Sequence, residues 1–173
     1  MNFSIAATIS RWLAPRRELS CSWLFWRRLT RKLRERGRDE TRESGAFLIG
    51  YIEAAGAARI IDFVLYDDLD PQSLDTGIVR FDGKYFGQLW ALCRQRKLTV
   101  IGDVHVHPGD SGQSRSDRAY PMVSQAGHLA LILPRFARAP IAHEEIGIYR
   151  YLGGGEWLTV PRGQRREFFS IGF

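Results

Sequence analysis

The apolar, β-branched run Leu98-Thr99-Val100-Ile101-Gly102-Asp103-Val104 leads directly into His105-Val106-His107-Pro108, and this junction constrains the fold more than any other stretch. The run reads as a strand. Strand side chains alternate faces, so His105 and His107 leave it on the same face. Two imidazoles held side by side suit a borderline-soft divalent ion such as zinc. Pro108, Gly109 and Gly112 turn the chain. Ser114 to Gln125 then reads as a short helix with Ser114 near its start, where a hydroxyl is a good N-cap. Ser114 and Asp117 share one face of that helix. Asp117 can return to the metal as a third ligand, leaving one position open for water, as in catalytic zinc sites.

A chain of 173 residues suits one domain with a sizeable core. Its formal charge of +6 is unevenly placed. Residues 1–42 hold eleven Lys+Arg and four Asp+Glu, a net of +7, and the remainder hold fourteen and fifteen, a net of −1. The basic character therefore belongs to the N-terminal segment. Such a segment can meet nucleic acid, an anionic membrane surface or an acidic partner, or simply be a solvated helix face, and the last reading is preferred. Cys21 and Cys93 stand far apart and outside any C-x-x-C pair, which fits a reducing compartment rather than a disulfide framework. Met1 to Ser10 lack the basic n-region of a signal peptide. No run approaches the roughly 20 apolar residues of a membrane span. A cytoplasmic protein is expected, without membrane or nucleic-acid partners.

Along the chain, residues 1–17 read as a poorly ordered lead-in. The pattern from Glu18 to Arg36 is helical, with Leu19, Trp23, Trp26, Leu29 and Leu33 as an apolar stripe and arginines over much of the rest. That stripe reads as core contact, with a partner-binding face as the alternative. Glu43 then enters an apolar strand running to Ile52, and Ala58 to Tyr66 returns as the second arm of a hairpin. Asp67 to Thr76 is an acidic loop. Gly83 to Arg96 is a helix carrying Phe86, Leu89, Trp90 and Cys93 on one face, with Cys93 a small buried hydrophobe. After the His junction, strands are expected at 128–133, 146–152 and 157–160, and 161–173 is expected to be a C-terminal tail. Interleaved strands and helices predict a single α/β (α+β) domain over 18–160.

A glutamate opening an apolar strand, then H-x-H-P, then S-x-x-D, is similar to the JAMM signature of the JAB/MPN metalloprotease family. The residues that carry the resemblance are Glu43, His105, His107, Ser114 and Asp117, and the element order of about residues 18–160 matches as well. Six residues separate His107 from Ser114, at the lower limit usual in the family, and Ala46 stands where a second glycine is frequent. The resemblance implies a curved mixed sheet flanked by helices, of cytidine-deaminase-like architecture, and one catalytic zinc on His105, His107 and Asp117. It implies Glu43 as general base and Ser114 as hydrogen-bond donor to the oxyanion. Glu40 and Glu53 compete with Glu43 on residue type alone. Asp103 shares the histidine face, where it can orient one of the imidazoles or serve as a structural polar residue at a strand end. His128 and His143 are expected to be structural.

The family divides by substrate. The compact chain resembles the small stand-alone prokaryotic members, which implies an isopeptidase that processes or deconjugates a ubiquitin-like modifier. E1- and E2-like enzymes of the same pathway, including antiphage systems, are then expected partners. Peptidase action on a sulfur-carrier protein and a non-catalytic scaffold are the alternatives. Extended tails can lie beside an edge strand, with the Asp67–Thr76 loop as a candidate flank.

Overall fold

A computed structural model describes residues 17–38 and 40–172. Almost all of the expected lead-in over 1–17 lies outside the described residues. The described chain forms one mixed sheet with β1 at Leu19–Cys21, β2 at Gly45–Ile52, β3 at Ala58–Leu65, β4 at Thr99–Val106, β5 at Leu129–Leu133, β6 at Gly147–Gly153, β7 at Glu156–Thr159 and β8 at Phe169–Ile171. Its order is β7-β6-β5-β4-β2-β3-β1-β8. β2 sits between β3 and β4, antiparallel to both, while β4 and β5 run parallel. The α/β class is as expected, and among the described residues no helix is long and apolar enough to cross a membrane.

Period-2 alternation splits the sheet's side chains between two cores. On one face Leu48, Val104, Val106, Leu131 and Ile148 pack with Leu29 and Leu33 of helix α1, Trp23–Arg36. On the other, Phe47 and Ile49 pack with Tyr66, Leu69, Leu89 and Cys93. Tyr66 and Leu69 belong to the single turn α2, Tyr66–Leu69, and Leu89 and Cys93 to helix α3, Phe86–Arg96. Cys93 is buried among apolar neighbours, as expected. Truncating a fully buried leucine such as Leu33 to alanine costs about 2–5 kcal/mol.

The first helix begins later than the sequence predicts. Ser22 is its N-cap, accepting from the Phe25 N–H at 3.1 Å. Leu19, read as part of the helical stripe, instead fills the core from β1, which pairs in parallel with β3 and β8. Trp23 is half exposed and Phe25 takes the buried position. The arginine face is partly neutralised, since Arg28 pairs with Asp62, and Arg36 reaches Asp67 at 2.6 Å and Asp68 at 2.8 Å.

The C-terminal segment departs from its expected role as a tail. Its residues 165–168 form a helical turn, α5, Arg165–Phe168, and β8 follows as an edge strand beside β1. Phe169 is fully buried and meets Trp26 edge to face at 5.6 Å. The helix expected over Ser114–Gln125 is also shorter. It is α4, Arg115–Ala119, and stops two residues before Pro121, which disfavours helical backbone in the residue ahead of it.

Candidate metal centre

Strand register assembles the site. Gly45 on β2 pairs with His105 on β4, and Ser44 O accepts the Val106 N–H at 3.0 Å just beyond the strand end. Continuing that antiparallel ladder by one residue sets Glu43 opposite His107. Paired residues share a face, so Glu43, His105 and His107 all project toward the side of the sheet that carries Phe47 and Tyr66. The side-chain contact agrees, with Glu43 Oε1 lying 4.0 Å from His107 Nε2. The competing glutamates are elsewhere: Glu40 pairs with Arg138, and Glu53 lies in the turn between β2 and β3.

After β4, the loop from Pro108 carries the chain back to α4. Ser114 caps this helix in a reciprocal box: its hydroxyl accepts from the Asp117 N–H at 3.1 Å, and Asp117 Oδ2 accepts from the Ser114 N–H at 2.6 Å. The box fixes the Asp117 carboxylate over the histidines. Asp117 Oδ2 is 3.3 Å from His107 Nε2, and Oδ1 is 3.6 Å from His105 Nε2. The two Nε2 atoms are themselves 3.1 Å apart. His105, His107 and Asp117 form a group whose ligand atoms all lie within 4.8 Å of one another.

This donor set fits a divalent ion. Two ligands at 2.0–2.1 Å from a tetrahedral zinc stand about 3.3 Å from each other, and the three separations, 3.1, 3.3 and 3.6 Å, bracket that value. Two imidazole nitrogens and one carboxylate oxygen are a borderline-soft set of the kind zinc accepts. Each imidazole nitrogen faces the other's lone pair at hydrogen-bond distance, so a proton or a cation is needed between them. The electrostatics have the same sense. Burial opposes the charge of Asp117, yet contacts with His105 and His107 and the Ser114 N–H hold its carboxyl well below the usual carboxylate range. His105 is pushed down by burial and pulled further up by Asp103 and Asp117, leaving it above its ordinary value.

Glu43 is gripped from the opposite side. Its Oε2 accepts from the Val79 N–H at 3.3 Å, and its own N–H donates to Gly77 O at 2.9 Å. The segment that holds it lies just beyond the expected flank at Asp67–Thr76. Asp70, almost fully buried, closes the loop by accepting from the N–H groups of Gln72 and Asp82 at 3.1 and 2.9 Å.

Asp103 sits one alternation below His105 and is buried. Its Oδ2 lies 3.8 Å from His105 Nδ1, beyond direct hydrogen-bond length but close for an ion-pair contact. Two further partners went unread in the sequence. The Tyr66 hydroxyl donates to Oδ2 at 3.0 Å, and His128 Nε2 is 2.7 Å from Oδ1. Tyr66 carried no signal beyond its place at the end of β3. Local sequence marks His128 only as a structural residue at a strand start, because the parallel β4–β5 register that brings it to Asp103 cannot be seen there. His143, in a single turn ahead of β6, takes no part in the cluster.

No protein-family model matches the chain. A curated relative named probable metalloprotease y4jG, from Sinorhizobium fredii (strain NBRC 101917 / NGR234), is 36% identical over 77 residues, which are 44% of this chain and 48% of the relative. The match thus spans about half of the relative's length. Among solved structures, that of protein DSY2949 from Desulfitobacterium hafniense aligns with a TM-score of 0.61 at 12% identity, covering 88% of this chain and 92% of that one, and so shares the fold. A protein from Salinibacter ruber (strain DSM 13855) aligns with a TM-score of 0.46 at 18% identity, over 77% of this chain and 85% of that one.

Proposed function

We propose that this chain is a zinc-dependent peptidase of the JAB/MPN type that cleaves the amide or isopeptide bond after the C-terminus of a ubiquitin-like modifier. The observation that carries the reading is the meeting of His105, His107 and Asp117 with Glu43 on one sheet face, drawn from three separate stretches of sequence. A curated relative named as a probable metalloprotease supports metal-dependent peptide hydrolysis at the coarse level.

His105, His107 and Asp117 would hold the ion, which when bound supplies Lewis acidity that acidifies water and polarises a scissile carbonyl. The remaining roles belong to the chain. Glu43 has one oxygen tied to Val79 and the other turned toward His107. The tied oxygen fixes the carboxylate's orientation. The free oxygen takes a proton from the attacking water and hands it to the departing amine. Ser114 accepts one hydrogen bond at its oxygen and keeps its hydroxyl proton. That proton is available to the carbonyl oxygen as negative charge develops there, a contribution of about 2.7–4 kcal/mol where such donors have been removed.

Modifier precursors and conjugates are then the substrates, and E1- and E2-like enzymes the partners. Free, buried Cys21 and Cys93 support a cytoplasmic setting, with burial pushing the Cys21 thiol up to about 12. The test is to purify the full chain, measure bound zinc, and follow cleavage of a ubiquitin-like protein fused through its C-terminal glycine to a reporter. Expected are one zinc per chain, cleavage at the junction, loss with chelator and return with added zinc. Zinc without cleavage of any modifier fusion, but with cleavage of a sulfur-carrier fusion, would move the substrate assignment. Zinc binding with no hydrolysis of either would make the chain a scaffold.

A further inference from the structure

Asp103 is a carboxylate 2% exposed on the histidine face of a central strand, with no lysine or arginine paired to it among the described residues. A buried anion without a cationic partner is costly. The sheet nevertheless builds a full complement of contacts around it. The Tyr66 hydroxyl donates to Oδ2, His128 Nε2 meets Oδ1, and His105 Nδ1 faces Oδ2. Each partner comes from a different element: Tyr66 from the turn after β3, His128 from the lead into β5, and His105 from β4 itself.

Space for this arrangement is made by Gly45. A Cβ at this position would lie 2.2 Å from Tyr66 Cε2 and 2.8 Å from Val104 O. Gly45 is also the β2 residue paired with His105. The missing side chain therefore lets the Tyr66 ring pass beside the histidine strand and reach Asp103. Phe47 and Phe81, themselves in edge contact, pack together against that ring at centroid distances of 4.8 and 5.9 Å.

We propose that Tyr66, Asp103 and His128 are positioning residues for the metal ligand His105. Asp103 faces His105 Nδ1, which leaves Nε2 as the nitrogen presented to the metal, and Tyr66 and His128 hold the carboxylate in that orientation. Carboxylates behind ligating imidazoles fix the ring and its tautomer, and their loss typically lowers metal affinity by about 10–100-fold. His128 is here the hydrogen-bond donor to Asp103, with its proton on Nε2. The inference rests on the metal-site reading and goes beyond it by assigning residues that touch neither metal nor substrate.

The test reads metal binding without any peptide. The full chain is titrated with cobalt, followed by its visible ligand-field bands, for the native protein and for Asp103→Asn, Tyr66→Phe, His128→Leu and His128→Gln, with circular dichroism and Tm recorded for each. Expected are an affinity loss of about 10–100-fold and altered cobalt bands in Asp103→Asn. Smaller losses are expected in Tyr66→Phe and His128→Leu, and recovery in His128→Gln, which restores an N–H donor. Tyr66→Phe removes only a hydroxyl and decides the matter if Asp103→Asn fails to fold. Native affinity and bands in the folded variants, with only Tm changed, would leave the three residues structural and overturn the proposal. A native protein that binds cobalt but cleaves no substrate would sink the peptidase reading alone. A native protein that binds no cobalt would sink both.

Discussion

Glu43 faces His107 across the antiparallel β2–β4 ladder, with its Oε1 4.0 Å from Nε2. Register produces this approach: Gly45 pairs with His105, so the residue two places earlier on one strand meets the residue two places later on the other. Under the proposed function, a carboxylate beside His107 that is tied by its other oxygen to Val79 is placed to move a proton rather than to bind the metal.

Glu43→Gln keeps the hydrogen-bond acceptor for Val79 and nearly the same shape, and loses only the ability to take a proton. The variant is expected to fold, to hold zinc at native stoichiometry, and to lose about 10²–10⁴-fold in kcat/KM. Metal analysis alongside a cleavage assay checks it. A glutamine variant with native turnover would remove Glu43 from the chemistry.

Gly45→Ala tests whether the fold and the site share a constraint. The added methyl meets the Tyr66 ring at 2.2 Å and Val104 O at 2.8 Å, and neither can withdraw freely because Tyr66 is fully buried and Val104 O belongs to a central strand. Overpacking of this kind costs about 1–3 kcal/mol. Thermal unfolding should show a drop of several degrees, and cobalt affinity should fall with it as Tyr66 is displaced from Asp103.

Legibility in the sequence followed the range of the forces involved. The β4 alternation, the Ser114 N-cap and the His105, His107, Asp117 grouping rest on local periodicity and were readable. Glu43 is reached only through the resemblance to the JAMM signature, since the pairing of β2 with β4 is long-range. The apolar spacing of Leu19 suits a helix as well as a strand, and only parallel pairing with β3 and β8 settles it. Ser22 was the local signal that would have set the helix start, as Pro121 would have set the end of α4. Tyr66 and His128 meet Asp103 through three-dimensional packing that leaves no local pattern. The β8 strand had no cue either, because a three-residue edge strand is too short to show alternation.

Glu145 gives a pH dependence whose sign follows from its contacts. Arg135 binds both of its oxygens, at 2.6 and 3.0 Å, and the Ala142 N–H adds a third bond at 2.9 Å. Together these hold its carboxyl at about 2, below the 4.5 of a free glutamate. A depressed folded-state value means the stabilisation is complete above about 4.5 and is lost as pH falls toward 2. The pair braces the turn in which the Phe136 N–H donates to His107 O at 2.9 Å. Denaturant unfolding of Glu145→Gln should therefore show a small deficit against the native chain at neutral pH. That deficit should shrink below pH 4.5 and vanish near 2. A deficit independent of pH would assign it to lost packing.

Asp70→Ala separates the placement of Glu43 from the binding of metal. Asp70 closes the loop by accepting the N–H groups of Gln72 and Asp82. Within that loop Gly77 O and the Val79 N–H grip Glu43, while none of these contacts involves His105, His107 or Asp117. Removing the carboxylate leaves two backbone donors without their partner, a cost of about 1–3 kcal/mol where such groups stay buried. Loosening the loop frees Glu43 to drift, and a misplacement of about 1 Å can cost 10²-fold in rate. The variant should bind cobalt with native affinity and native bands but show kcat reduced about 10–100-fold. This is the reverse of Asp103→Asn, in which affinity falls first. Parallel cobalt titration and turnover of the two variants distinguish a loop that aims the base from a network that aims the ligand. Equal loss of affinity in both would mean that the loop supports the metal ligands as well.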